Sequence, residues 1–176
     1  DIFVCNGIPK RPNDLDYVKY FSNDQVKKKI GSTKLLDKEA LKKMPTGNVT
    51  NYVFEGAADL QFINQSNQWI ENDSIISNGS SYADLDNDGD LDLVTNNTNS
   101  IATVYINQTN NKSNYLKVKL QFTGKNTFGI GAKVISYSKG KKQFKELQTT
   151  RGFQSSSEPI LHFGFGKTAK IDSLVV

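Results

Sequence analysis

The stretch Asp84-Leu85-Asp86-Asn87-Asp88-Gly89-Asp90-Leu91-Asp92 decides how the rest of the chain is read. Aspartate stands at every second position, and Gly89 follows the third carboxylate directly. Alternate side chains of a curling loop can converge on one centre, and a glycine permits the tight turn that lets them do so. Ca²⁺ takes six to eight oxygens from carboxylates, backbone carbonyls and water, which is the donor set this pattern offers. Left without a cation, so many negative charges at short range would repel one another.

The pattern is not that of an EF-hand, which needs a bidentate Glu at position twelve and flanking helices. Counted from Asp84, position twelve is Thr95, and the acidic series closes at position nine with Asp92. The flanks Ser80-Ser81-Tyr82-Ala83 and Leu91-Asp92-Leu93-Val94-Thr95 are short apolar and β-branched runs that predict strands. The expectation is therefore a calcium loop in a turn between two strands. Asp84, Asp86, Asp88 and Asp92 supply side-chain oxygens, and Asp90 supplies its backbone carbonyl. The plainer alternative is a solvated acidic turn, since Asp, Asn and Gly are ordinary turn residues; strict alternation argues against it.

With Ser77-Asn78-Gly79-Ser80-Ser81-Tyr82-Ala83 in front, the run from Asp84 to Val94 closely resembles an FG-GAP/VCBS repeat. The resemblance implies a blade of an integrin-α-like β-propeller. Asp1-Ile2-Phe3-Val4-Cys5-Asn6 follows the same order as Asp92-Leu93-Val94-Thr95-Asn96-Asn97: an aspartate, an apolar run, an asparagine-containing turn. Residues 1–9 are thus expected to end a preceding repeat, with Asp1 as an orphan ligand of a loop lying upstream, because recurrence of one unit is the mark of a propeller.

Residues 10–46 break the β pattern. Asn13-Asp14 can cap a helix through Leu15, Tyr17, Val18 and Phe21. Asp24 to Ile30 can form another, and Asp37 to Met44 a third that stops at Pro45. The segment reads as a helical insert between propeller strands. Lys27, Lys28, Lys29, Lys34, Lys38, Lys42 and Lys43 stand there against Asp37 and Glu39, and they carry much of the net charge of +4. A solvated helical face accounts for them most simply; an anionic partner is the sharper alternative. Nucleic acid is disfavoured, because no nucleic-acid motif accompanies the lysines.

Residues 47–110 are read as one blade. Strands are predicted at Tyr52 to Gly56, Leu60 to Phe62 and Ala102 to Asn107, and Trp69 is expected in the core in preference to a sugar-stacking surface. Asn107 to Ser113 is a polar linker. Residues 114–176 form a second unit. Tyr115 to Phe122 alternates apolar and polar positions, as a half-buried strand does. Further strands are predicted at Lys133 to Tyr137, Gln143 to Thr149, Ile160 to Gly166 and Ile171 to Val176. Asn126-Thr127-Phe128-Gly129-Ile130-Gly131-Ala132, Arg151-Gly152-Phe153 and His162-Phe163-Gly164-Phe165-Gly166 are similar to the ASPIC/UnbV domain. That domain follows FG-GAP/VCBS repeats in cartilage acidic protein-like sequences, and the resemblance runs to the last residue. The Trp-Pro-Gly-type turn that usually follows in the family is missing, so a truncated C-terminus is also expected.

The 176 residues allow one or two small domains, and no stretch approaches the ~20 apolar residues of a membrane span. The single cysteine, Cys5, forms no internal disulfide and is expected to be a buried, inert thiol. His162 is the only histidine, which argues against a transition-metal site and gives its strand position a structural meaning. Sequons occur at Asn48, Asn64, Asn72, Asn78, Asn96, Asn107 and Asn111, and in so Asn-rich a chain chance supplies most of them.

The fold expected is mainly β: a partial propeller with a short helical insert, then a small β-sheet or sandwich-like domain. The resemblance implies a calcium-binding, non-enzymatic binding or adhesion module that recognises a glycan or a protein, outside the cell or at its surface, with a bacterial outer-membrane association favoured. A structural subunit of an outer-membrane assembly is the alternative, with the basic insert docking a partner. A polysaccharide-acting enzyme ranks third, since no convincing acid/base pair stands outside the loop; Glu146 and Glu158 form no such pair without geometry.

Overall fold

In the computed structural model, residues 1–30, 34–47, 49–71, 74–109 and 113–176 are described. The sequon residues Asn48, Asn72 and Asn111 and linker residues 110–112 lie outside them, as do the side chains of Lys28, Lys29, Lys34, Asp37 and Glu39. The chain forms two compact units. Asp1–Asn78 with Asn96–Ala102 make one, and Gly79–Thr95 with Thr103–Val176 the other. The architecture is mainly β, in several small antiparallel sheets, with no closed barrel among the described residues.

In the first unit, β1 (Ile2–Val4), β2 (Tyr52–Gly56) and β3 (Phe62–Asn64) form a sheet in that order. The helical segment between β1 and β2 leaves and rejoins the strands at one point. Lys10 bridges Thr46, Arg11 N–H donates to Pro45 O at 2.9 Å, and Gly47 N–H donates to Pro9 O at 3.1 Å. Helix α1 (Leu15–Ser22) starts where the Asp14 carboxylate accepts from Asp16 N and Tyr17 N, satisfying donors the first turn leaves open. α2 (Asp24–Ile30) and α3 (Lys34–Lys43) follow, and α3 ends before Pro45, which cannot continue it. Lys43 Nζ lies 4.1 Å from the centre of the Tyr20 ring, a cation–π contact closing the insert.

Several elements differ from expectation. The strand expected at Leu60 to Phe62 falls at Phe62–Asn64, because Ala58–Leu60 is a 3₁₀ turn with Asp59 and Leu60 at positive φ. Trp69 is 47% exposed at the end of α4 (Ser66–Trp69), a short helix whose buried residue is Ser66, so it is not core. Ser66 holds β2 instead: its hydroxyl accepts from Val53 N at 2.9 Å. Cys5 is half-buried.

Strands β4 (Ser77–Ala83), β5 (Asp92–Asn97) and β6 (Thr103–Tyr105) form a sheet in chain order, so the acidic stretch is the turn between β4 and β5. β6 is shorter than the expected run to Asn107. In the first unit the fully buried Ser77 hydroxyl accepts from Asn51 Nδ2 and donates to Asn97 Oδ1, each at 2.8 Å.

The second unit holds the apolar core. β7 (Asn114–Lys119) pairs antiparallel with β12 (Ile160–Gly166), Leu116 opposite Phe163 and Lys117 opposite His162. β8 (Lys133–Ser138) and β9 (Lys141–Glu146) form a hairpin whose tip, Lys139 and Gly140, takes positive φ at both residues; β13 (Ser173–Val175) adds to β8. β10 (Thr150–Gly152) and β11 (Ser155–Ser156) make a small ribbon. Val118, Leu120, Val134, Leu147, Leu161 and Phe163 are the buried cluster, with Leu116, Ala132 and Phe165 packed against it. Burying each of the larger side chains contributes about 1.5–3 kcal/mol. Strand alternation sends Leu116, Val118, Leu161 and Phe163 to the core, leaving Tyr115, Lys117 and His162 on the opposite face.

Candidate metal centre

Two residues at positive φ, Asn87 (62°) and Gly89 (99°), curl the acidic stretch. Within the curl, Asp88 N–H donates to Asp86 Oδ1 at 3.3 Å and Asp90 N–H to Asp88 Oδ1 at 3.0 Å. Gly89 N–H donates to Asp84 Oδ2 at 3.1 Å. These bonds turn successive carboxylates inward. Asp84, Asp86 and Asp88 each present an oxygen within 4.8 Å of the others, a group that could hold a metal ion. Asp84 is buried, and Asp86 and Asp88 are exposed.

Asp92 sits apart from this convergence and is almost fully buried, 1% exposed. Its Oδ2 accepts from Leu85 N at 2.7 Å, and its Oδ1 accepts from Asn107 N at 2.8 Å. One carboxylate thus ties the start of the turn to the strand end beyond β6. Asp90 keeps Oδ1 buried with no hydrogen-bond partner, as does Asp84 at its own Oδ1. A buried anionic oxygen without a donor costs several kcal/mol unless a cation answers it. Three converging carboxylates, one of them (Asp84) with a buried donorless oxygen, and a second such oxygen on Asp90 fit a hard, oxygen-seeking cation.

The electrostatics agree with this crowding. Burial, followed by the hydrogen bond and charge of Asp88 and the charges of Asp92 and Asp86, pushes the Asp90 carboxyl up to about 6. Burial also pushes Asp84 upward, but the hydrogen bond and charge of Lys117, with the N–H groups of Gly89 and Asn87, hold it below the usual carboxylate range. Lys117 is raised in turn, chiefly by its bond to Asp84.

Lys117 belongs to a cradle that sequence reasoning missed. Its ammonium donates to Asp84 Oδ2. His162 donates from Nε2 to the Gly89 carbonyl at 2.8 Å, which assigns the Nε2–H tautomer or the imidazolium. Tyr115 stacks on His162, ring centres 5.4 Å apart and planes within 9°. A Cβ on Gly89 would lie 1.9 Å from Tyr115 Cε1, so the glycine backbone rests directly on that ring. All three residues sit on the non-core face of the β7–β12 pair, and for Tyr115 and Lys117 that face is one phase of the alternation legible in the sequence. No spacing rule joins positions so far apart to the loop. The structural meaning expected for His162 thus acquires a definite partner.

Asp1, expected as an orphan ligand, accepts from Gly56 N at 2.8 Å through Oδ1. This repeats the Asp92–Asn107 bond: Ile2 pairs with Phe54 as Leu93 pairs with Tyr105, and the donor lies two residues beyond the paired one each time. Asn6 Nδ2 donates to Thr50 O, and five residues past Asp92 Asn97 Nδ2 donates to Ile101 O in the corresponding place.

No helix among the described residues is long and apolar enough to cross a membrane. Residues 122–176 match the family described as ASPIC and UnbV. Over 93 residues the chain is 33% identical to Cartilage acidic protein 1 of Xenopus tropicalis, an alignment covering 51% of this chain and 14% of that protein.

Proposed function

We propose, taking the ASPIC and UnbV match over residues 122–176 as premise, that the chain is a calcium-stabilised binding module without catalytic activity, working outside the cell or at its surface. Asp84, Asp86 and Asp88 hold the cation by side-chain oxygens, Asp90 completes the set, and Asp92 braces the turn. The observation that carries this reading is the convergence of the Asp84, Asp86 and Asp88 carboxylates, with buried oxygens on Asp84 and Asp90 that lack a donor. Calcium supplies a hard positive charge that relieves their repulsion; the chain supplies the shape, through Gly89, Tyr115, Lys117 and His162. Millimolar external Ca²⁺ keeps even a weak site of this kind filled. The likeness to a protein named Cartilage acidic protein 1 supports an extracellular setting. The matching Asp1–Gly56 and Asp92–Asn107 bonds support reading β1–β2 and β5–β6 as equivalent parts of successive propeller blades, with residues 10–46 inserted in one. The module's ligand is a glycan or protein at the surface.

Thermal melts with Ca²⁺, with chelator, and of Asp88→Ala test it. A site filled at a hundred times its dissociation constant stabilises by about 2.7 kcal/mol. An upward shift with Ca²⁺ that Asp88→Ala abolishes is the expected result. Identical melts in Ca²⁺ and chelator would leave the aspartates as an ordinary turn and remove the reading.

A further inference from the structure

Next to the acidic turn, with which it shares His162, the second unit carries an open concavity of about 290 Å³ lined by Tyr82, Lys145, Glu146, Arg151 and His162, among others. Two of these residues are cations, and neither pairs with a carboxylate among the described residues. Aromatic rings hold them instead. The Arg151 guanidinium carbon lies 5.3 Å from the centre of the Tyr82 ring, and Lys145 Nζ lies 5.6 Å from that of Phe163. Glu146 is the one carboxylate in the lining, and its Oε1 accepts from Gln148 Nε2 at 3.0 Å. Both cations stay exposed at the rim, and partial burial, then the charge of Arg151, lowers the Lys145 ammonium, so the two positive charges feel each other. Two cations without carboxylate partners that line one concavity gain by receiving an anion.

We propose that this concavity receives an anionic group, sulfate or carboxylate, of an acidic polysaccharide, with Arg151 and Lys145 as its ligands and the Tyr82 ring as a wall for the sugar. Arg151 offers a planar fork of donors that matches two oxygens of one oxyanion, and Lys145 adds a point charge. The volume falls just below the range of ligand pockets, ~300–1,000 Å³, so it takes one charged sugar at most, while it exceeds what a bare anion fills. The proposal names a ligand class for the binding role given above, but it stands on this concavity and not on the cation loop.

The test titrates the protein with a sulfated uronic-acid hexasaccharide, a neutral hexasaccharide and inorganic sulfate, following backbone amide shifts. Binding of the sulfated sugar should shift the amides of Tyr82, Lys145, Arg151 and His162 and weaken as salt rises. Arg151→Gln and Lys145→Gln should each weaken it about tenfold, as loss of a charged hydrogen bond does, while Lys145→Arg retains it. The neutral sugar should not bind, and inorganic sulfate should bind at least a hundredfold more weakly. Unchanged affinity in both glutamine variants, or shifts confined to the lysines of residues 19–43, would overturn the site. Inorganic sulfate binding as tightly as the sugar would overturn the polysaccharide assignment. Affinity should be equal in calcium and in chelator; binding seen only with calcium would place the ligand at the aspartates and overturn this site, whereas a failed calcium melt leaves it untouched.

Discussion

Gly89→Ala concentrates the physics of the loop in one methyl group. At φ +99° an L-residue is strained by about 1–3 kcal/mol. The added Cβ would stand 1.9 Å from Tyr115 Cε1 and 2.5 Å from Cδ1 and Cζ, so the ring must leave its place. That forfeits the Tyr115–His162 stack, about 0.5–1.5 kcal/mol, and disturbs the His162 bond to the Gly89 carbonyl, about another 0.5–1.5 kcal/mol. The sum is roughly 2–6 kcal/mol. Urea unfolding in chelator, followed by circular dichroism, measures it without any contribution from a cation. Two companions divide the total. Gly140→Ala meets a similar backbone penalty, at φ +71° with nothing within 4 Å, and should cost only about 1 kcal/mol. In a Tyr115→Ala background the collision is gone, so Gly89→Ala should cost less there than in the parent, and the difference is the coupling between loop and ring. A Gly89→Ala protein within 0.5 kcal/mol of the parent, or a cost unchanged by Tyr115→Ala, would refute the packing of the loop on β7.

Other expectations follow from the same contacts. Asp92→Asn replaces one of two buried acceptors by a donor that faces a backbone N–H, so urea unfolding in chelator should show a loss of about 1–3 kcal/mol. Lys117→Met takes the counter-charge from Asp84; stability in chelator should fall, while a calcium titration should show severalfold tighter binding, because the cation no longer competes with an ammonium. Weaker calcium binding in that variant would contradict the placement of Asp84 in the cation site. Phe163→Ala, at a fully buried centre of the core cluster, should cost about 3–5 kcal/mol by the same unfolding assay.

What could be read in advance was what lies close in the chain. The Asp14 cap, the arrest of α3 before Pro45 and the alternation of β7 are each set by neighbours within a few residues, and each stands where local chemistry puts it. The convergence of Asp84, Asp86 and Asp88 is of the same kind, since period-two carboxylates and one glycine suffice to describe it. Trp69 was misplaced because an isolated aromatic says nothing about which of its sides the chain will cover. Leu60 was misplaced because positive φ at a non-glycine residue has no signature in composition. The cradle was illegible for a deeper reason. Lys117 and His162 become opposite each other only through antiparallel pairing of β7 with β12, and that register is decided by the buried phase of both strands together.

The double bond of Asp92 carries a further meaning. Because its carboxylate already clasps Leu85 and Asn107 through hydrogen bonds, the turn holds its curl before any ion arrives. On the calcium reading proposed above, ordering the chain then belongs to folding and not to loading, so an ion should exchange without the loop opening. The carboxylates of Asp86 and Asp88 each add one backbone bond to that curl, yet unlike Asp92 they stay exposed. Changes at those two exposed positions should therefore disturb the strand connection less than changes at Asp92.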